Sequence, residues 1–206
     1  MFLDFIIHLF PRTVRKEDLR LKVTFCLGGM AFTTFLVLAV SGMLLAFHYV
    51  PSPAGAYGSI QSIESDVFCG RYIRGLHRLS SHVFLVLLAL HALRVALRGA
   101  YRPPREWTWL LGCGLMGLAV FGAWSGTLLP MDQLALWATQ TGTELVRSLP
   151  FSCSLVSFLA PDGVGQPRTL VRFYMLHTLL VPASIAILSG FHFYRIRKSK
   201  GVLPWL

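Results

Sequence analysis

Four uncharged stretches dominate the chain: 23–50, a run centred on 79–93, 107–131 and 173–194. A hydrocarbon layer about 30 Å thick is crossed by about 20 apolar residues in a helix. Lipid offers no partner to an unpaired peptide group, so such runs must be helical. The chain is therefore expected to be an all-α membrane protein, a four-transmembrane-helix bundle with helices at about 23–50, 76–97, 107–130 and 172–195. At 206 residues, 54% of them hydrophobic, with mean hydropathy +0.60, it falls outside the range of ordinary soluble domains. Residues 1–206 read as one membrane domain with no room for a soluble one. A fifth apolar run, 148–161, is short and carries Pro150 and Pro161, which fits a surface or re-entrant segment. The opening MFLDFIIHLFPRTVRK has an acid and a proline inside its apolar part. Residues 1–21 therefore read as an interfacial segment rather than a signal peptide. No internal repeat stands out.

The net charge of +10 is positional. Of nineteen Lys/Arg, five lie in the first 22 residues, four between Arg94 and Arg105, and four from Arg195 onward. The other connections hold six basic residues against five acids. Under the positive-inside rule both termini and the 94–105 loop face the cytoplasm. A charge distributed this way is topological, and nucleic acid is not expected as a partner. The four cysteines, Cys26, Cys69, Cys113 and Cys153, form no CxxC or CxxCH, which speaks against a zinc site and against two-cysteine haem attachment. Cys69 and Cys153 both fall on the outer side, where a disulfide is compatible with an oxidising compartment but not fixed by spacing.

Imidazole inside lipid is costly and needs a reason. The second helix carries His77 and His91, the fourth His177 and His192. Fourteen residues return a helical side chain to within about 40° of its start, about 21 Å along the axis; fifteen give about 60° and about 22 Å. Each pair therefore lies near one face at two depths. Both helices run outside to inside, so His77 meets His177 near the outer surface and His91 meets His192 near the inner one. Paired imidazoles from facing helices are the axial ligands of six-coordinate haem iron. The expectation is two stacked bis-histidine haems. His82 points about 140° from His77 and has no counterpart, so a hydrogen bond to a neighbouring helix is its simpler explanation.

Gly28 and Gly42 on the first helix, and Gly112 and Gly126 on the third, are each fourteen apart. A flat macrocycle wedged among helices needs neighbours without side chains, although small residues also serve plain helix packing. Arg74 at the outer rim, and Arg94 and Arg197 at the inner rim, are placed to pair with haem propionates. Arg98 and Arg195 fit snorkelling.

RGLHRLSSHVFLVLLALHALRV, YRPPREWTWLLG, LPMDQLALWA and TLVRFYMLHTLLVP…GFHFYRIRK resemble the cytochrome b6 family. That family is the four-helix half of the cytochrome b core in quinol-oxidising bc and b6f complexes. The likeness runs from about Lys22 to about Gly201. It implies His77/His177 for a low-potential outer haem b and His91/His192 for a high-potential inner one. TFCLGGMAFTTFL resembles the segment that holds a further, covalently bound c-type haem, which would put a thioether on Cys26; a free buried cysteine is the plainer reading of that residue alone. The family also implies an electron-transfer subunit of a quinol–cytochrome c or plastocyanin reductase, inactive as an isolated chain. Quinol would be oxidised near 130–150 on the outer face, quinone reduced inside, and protons moved across the membrane. The partners implied are a subunit-IV-like chain with a Pro-Glu-Trp-Tyr motif, a Rieske iron–sulfur protein, a c-type cytochrome, quinone and lipid, in a homodimeric complex. The membrane implied is a bacterial inner membrane or a thylakoid-type one.

Two segments depart from the family's pattern. Thr127 and Met131 stand where it has Tyr and Trp, and Pro150-Phe151-Ser152-Cys153 lacks its Pro-x-x-Gly. Both fall on the outer side and bear on the quinol pocket. A ferric-reductase-like conduit would also stack haems between paired histidines, but LPMDQ and PREWTW speak against it. A haem-bearing structural anchor is the other alternative.

Overall fold

The computed structural model describes residues 26–150 and 152–199. The interfacial segment expected at residues 1–21, and both termini with their expected cytoplasmic location, lie outside the described residues. Every regular element described is helical. In chain order these are α1 (Leu27–Ala46), α2 (Ala56–Ser65), α3 (Gly70–Leu97), α4 (Glu106–Thr127), α5 (Gln133–Arg147), α6 (Cys153–Leu159), α7 (Pro167–Met175), a π turn (Leu176–Leu180) and α8 (Val181–Ser199). Four stretches are long and apolar enough to span a membrane: Leu27–Ala46, Gly70–Leu97, Glu106–Thr127 and the continuous run Pro167–Lys198.

Their surfaces are inverted relative to a soluble bundle. Val40, Met43 and Leu97 are 62%, 64% and 79% exposed, and similar residues line every span. Water would not tolerate so continuous an apolar surface, whereas lipid requires it. The chain is an integral, multi-pass membrane protein.

Two spans start earlier than the apolar runs suggested. α3 begins at Gly70 rather than about 76, because Arg71 and Arg74 extend the helix without extending the hydrophobic stretch. The fourth span begins at Pro167, where proline suits the first helical turn and Asp162 accepts the backbone N–H of Arg168 and Thr169 at 2.9 and 3.0 Å. Three shorter helices, α2, α5 and α6, connect the spans at one end, which the charge reading makes the outer one. α5 is started by Asp132, whose carboxylate accepts the N–H of Ala135 at 2.7 Å. The short run at 148–161 contains α6, which does not span. All four cysteines are free and exposed, so Cys69 and Cys153 are not joined.

The spans pack as two couples, α1 with α3 and α4 with α8. Between the couples, α3 and α8 are not among the closely packed pairs of described elements. Halfway along the bundle a plug closes this space: Ala31 and Phe35 from α1, Phe84 and Leu87 from α3, Ala119 from α4, Val181 and Ile185 from α8. Phe35 and Phe84 lie with ring centroids 6.1 Å apart at its centre. A second cluster, with Tyr49, Leu128, Leu159, Leu170 and Phe173, ties the connecting segments to the outer end. Tyr49 donates its hydroxyl to the Leu129 carbonyl at 2.7 Å.

Candidate functional site

On either side of the aromatic plug a pair of histidines faces across the gap between α3 and the fourth span. At the outer level His77, on α3, and His177, in the π turn, have ring centroids 6.2 Å apart and planes at 77°. Two imidazoles bound to one metal ion need about 2 Å for each metal–nitrogen bond and about 1.2 Å from nitrogen to ring centre. The sum is about 6.4 Å, so the observed separation fits one shared metal.

The remaining ring nitrogens are committed elsewhere. His77 Nδ1 lies 2.9 Å from the Ser41 hydroxyl. His177 Nδ1 lies 3.0 Å from the Gly122 carbonyl and 3.3 Å from the Ser125 hydroxyl. A carbonyl only accepts, so the proton of His177 sits on Nδ1, leaving Nε2 with its lone pair free. That division of labour is the usual one for metal-ligating histidine.

The π turn explains the unequal spacings on the two helices. In a plain α-helix, fifteen residues leave His177 and His192 further out of line than the fourteen between His77 and His91. A π turn takes up one extra residue, and this one, Leu176–Leu180, includes His177 and runs on toward His192. The fifteen-residue interval thus behaves as fourteen, and both pairs meet at matched depths.

At the inner level His91 and His192 line one cavity of about 530 Å³ together with Thr108, Gly112, Arg94, Arg98 and Arg105. That volume is in the range of ligand sites. Three guanidinium groups on its lining make it a place for anionic groups. The Nδ1 atoms of His91 and His192 are buried without a hydrogen-bond partner.

Each glycine of the two matched pairs faces one of these rings. A Cβ at Gly28 would come within 3.2 Å of His91 Cε1, at Gly42 within 3.0 Å of His77, at Gly112 within 3.4 Å of His192, and at Gly126 within 2.6 Å of His177. The glycines are therefore not generic packing residues. Each opens the room in which one imidazole stands, and the nearest ring atom is Cε1 in all four cases. Every level draws a histidine from α3, a histidine from the fourth span, and a glycine from each of α1 and α4.

The other expected residues scatter. Cys26 is the N-cap of α1, two residues before Gly28 and therefore at the inner level. Its thiol lies over Gly29, where a Cβ would be 2.7 Å from Sγ. It is exposed, so the buried-cysteine reading fails. Arg94 lines the inner cavity; Arg197 is half-buried but is not part of that lining. Arg74 is bonded to Glu64 of α2; a guanidinium has five donors, so this pair leaves others. His82 is exposed, and the interhelical hydrogen bond expected of it is not formed. Among the described residues no three His, Cys, Asp or Glu side chains cluster as a metal site.

Sequence reasoning passed over Ser41, Ser125 and Arg105, and read Arg98, which lines the inner cavity, as snorkelling. The available signal for the serines was the Ser-Gly dipeptide, which recurs as Ser41-Gly42 and Ser125-Gly126. At the departures from the usual outer-end pattern, the Thr127 hydroxyl donates to the Trp124 carbonyl at 2.7 Å, and Met131 sits in the left-handed region at φ 54°.

The family described as Cytochrome b/b6/petB matches residues 14–200. Cytochrome b6 of Heliomicrobium gestii is 38% identical over 178 residues, covering 86% of this chain and 84% of that protein. The menaquinol:cytochrome c reductase cytochrome b subunit of Bacillus subtilis is 33% identical over 201 residues, 96% of this chain and 89% of the other. A chain of a hyperthermophilic respiratory complex III superposes with a TM-score of 0.81 at 29% identity. The match covers 87% of this chain and 48% of the other, so the chain spans about half its length.

Proposed function

The chain belongs to the cytochrome b/b6 family, and from that premise we propose that it is the membrane-embedded electron-transfer subunit of a quinol–cytochrome c reductase. In this reading electrons pass from quinol oxidised at the outer face to quinone reduced at the inner face, with protons released on one side and taken up on the other. The supporting observation is the doubled arrangement of facing histidines, each with a glycine against its ring.

His77 and His177 would hold one haem b, and His91 and His192 a second. When bound, the haems supply one-electron chemistry at two depths of the membrane, which side chains cannot provide. The protein's part is to hold, orient and insulate. Ser41, Ser125 and the Gly122 carbonyl fix the ring orientation at the outer level. Gly28, Gly42, Gly112 and Gly126 keep side chains out of the space beside the rings. Phe35, Phe84 and their neighbours exclude water between the levels. Arg94 and Arg197 at the inner rim, and Arg74 beyond its bond to Glu64, would neutralise haem propionates. Cys26, exposed at the inner level, would bind a further c-type haem through one thioether.

Quinol oxidation is assigned to the outer segment between Pro130 and Pro150. Completing that pocket requires a subunit-IV-like partner bearing Pro-Glu-Trp-Tyr, and a Rieske protein and a c-type cytochrome to take the other electron, within a homodimeric complex. Residues 1–206 form one membrane domain, with both termini cytoplasmic under the charge rule. The membrane is a bacterial inner membrane or a thylakoid-type one. In the purified complex, adding quinol should reduce the b-haem absorption bands, and an outer-site inhibitor should abolish this. Haem bands that quinol never reduces would point to a structural anchor instead.

A further inference from the structure

The two levels differ in one respect that the glycines and histidines do not explain. Shifting by fourteen residues takes Leu27-Gly28 to Ser41-Gly42 on α1, and Leu111-Gly112 to Ser125-Gly126 on α4. The residue before each glycine is thus serine at the outer level and leucine at the inner one, on both helices.

Both serine hydroxyls are already committed as donors. Ser41 Oγ lies 2.7 Å from the Val37 carbonyl, and Ser125 Oγ lies 3.0 Å from the Gly122 carbonyl. A hydroxyl whose proton is given away presents only lone pairs on its other side. The ring nitrogens beside them, His77 Nδ1 and His177 Nδ1, must therefore donate. Giving away its own proton also makes a hydroxyl a better acceptor. At the inner level the leucines offer nothing of the kind, and His91 Nδ1 and His192 Nδ1 are buried without a partner. The Thr108 carbonyl, fourteen residues before Gly122, is the backbone acceptor facing His192, less well placed than Gly122 at 3.0 Å from His177 Nδ1; backbone carbonyls thus serve both levels, and the serines are what differ.

An acceptor at Nδ1 makes the imidazole more basic at Nε2. A more basic axial ligand favours the oxidised, more positive metal, and hydrogen bonding behind the ligands is one of the protein's levers on potential. We propose that Ser41 and Ser125 are positioning residues that hold the outer haem at a lower reduction potential than the inner one, by adding a hydroxyl acceptor at Nδ1 of His77 and, beside the Gly122 carbonyl, at Nδ1 of His177. The gradient this sets runs from the outer level to the inner one. The proposal rests on the two-haem reading above.

The test is an optical redox titration of the purified complex. The outer band is identified as the one lost in His77→Ala, the inner as the one lost in His91→Ala. Ser41→Ala and Ser125→Ala should each raise the outer midpoint potential, the double variant most, with the inner midpoint unmoved. Ser41→Thr and Ser125→Thr keep the hydroxyl and should restore the wild-type value. Leu111→Ser should lower the inner midpoint by placing an acceptor beside His192. This arm decides the matter if the alanine variants fail to assemble. Two intact haem bands with unchanged midpoints in the serine variants, or in Leu111→Ser if only that variant assembles, would overturn the proposal while leaving the haem reading standing. A wild-type complex with no b-haem bands would instead overturn the haem reading itself.

Discussion

Gly126→Ala and Gly112→Ala are the same chemical change at equivalent positions, yet the structure separates their outcomes. The added methyl at 126 would stand 2.6 Å from His177 Cε1, 3.0 Å from Nδ1 and 3.1 Å from Nε2, meeting a whole edge of the ring. An ordinary contact starts at 3.4 Å, so the ring must retreat by about 0.8 Å. It is pinned by the Gly122 carbonyl and the Ser125 hydroxyl, and each such bond contributes about 0.5–1.5 kcal/mol. Overpacking of this kind costs about 1–3 kcal/mol. Falling on ligand geometry, that is about a 5- to 150-fold loss in haem affinity at the outer level, since 1.4 kcal/mol is about tenfold. At Gly112 the methyl meets His192 at 3.4 Å, no retreat is needed, and alanine gains about 1 kcal/mol of helix propensity. The assay is the b-haem content of each purified variant, with the outer band identified as above. Gly126→Ala should lose or broaden the outer band and spare the inner; Gly112→Ala should keep both. Equal damage from the two, or an untouched Gly126→Ala spectrum, would refute the idea that the glycines make room for the histidines.

Cys26→Ser should abolish haem staining of a denatured band near 23.0 kDa; a wild-type band that never stains would remove the thioether. Asp162 accepts two backbone N–H groups and the Thr169 hydroxyl. Burial alone would raise its carboxyl pKa, but these bonds outweigh it and hold the pKa below the usual value. A lowered folded pKa means its stabilisation of the start of α7 is present above the ordinary carboxylate range and lost as pH falls through the lower folded value. The protection factors of the Arg168 and Thr169 amides, that is exchange relative to the intrinsic rate at each pH, should therefore fall on acidification in the wild type and be low already at neutral pH in Asp162→Ala. Gly142→Ala would place a Cβ 2.2 Å from Trp124 Nε1, at a cost of about 1–3 kcal/mol, read as a lowered thermal midpoint; an unchanged midpoint would mean that Trp124 is free to move aside.

What could be read from residue order alone is what periodicity encodes. Four apolar runs placed the spans, and intervals of fourteen and fifteen placed His77, His91, His177, His192 and the glycines at common depths. The π turn at Leu176–Leu180 was not legible, because a wide turn has no compositional signature; only the extra residue between His177 and His192 hinted at it. Helices α2 and α5 were missed because their apolar faces are short and are set by packing on the span ends. The Arg74–Glu64 bond joins residues ten apart across a turn, so its partner depended on tertiary structure. The outer serines looked like ordinary small residues until their neighbours were seen. His82 was expected to find a hydrogen bond on another helix, and its exposed position shows that one histidine in an apolar run need not have a partner within the chain.

The central claim is that four histidines make two independent haem sites, and extractable haem per chain in the purified complex tests it most directly. The account predicts about two in the wild type and about one in His91→Ala, with the outer band intact. A wild type with one or none, or a His91→Ala protein that retains both, would contradict it.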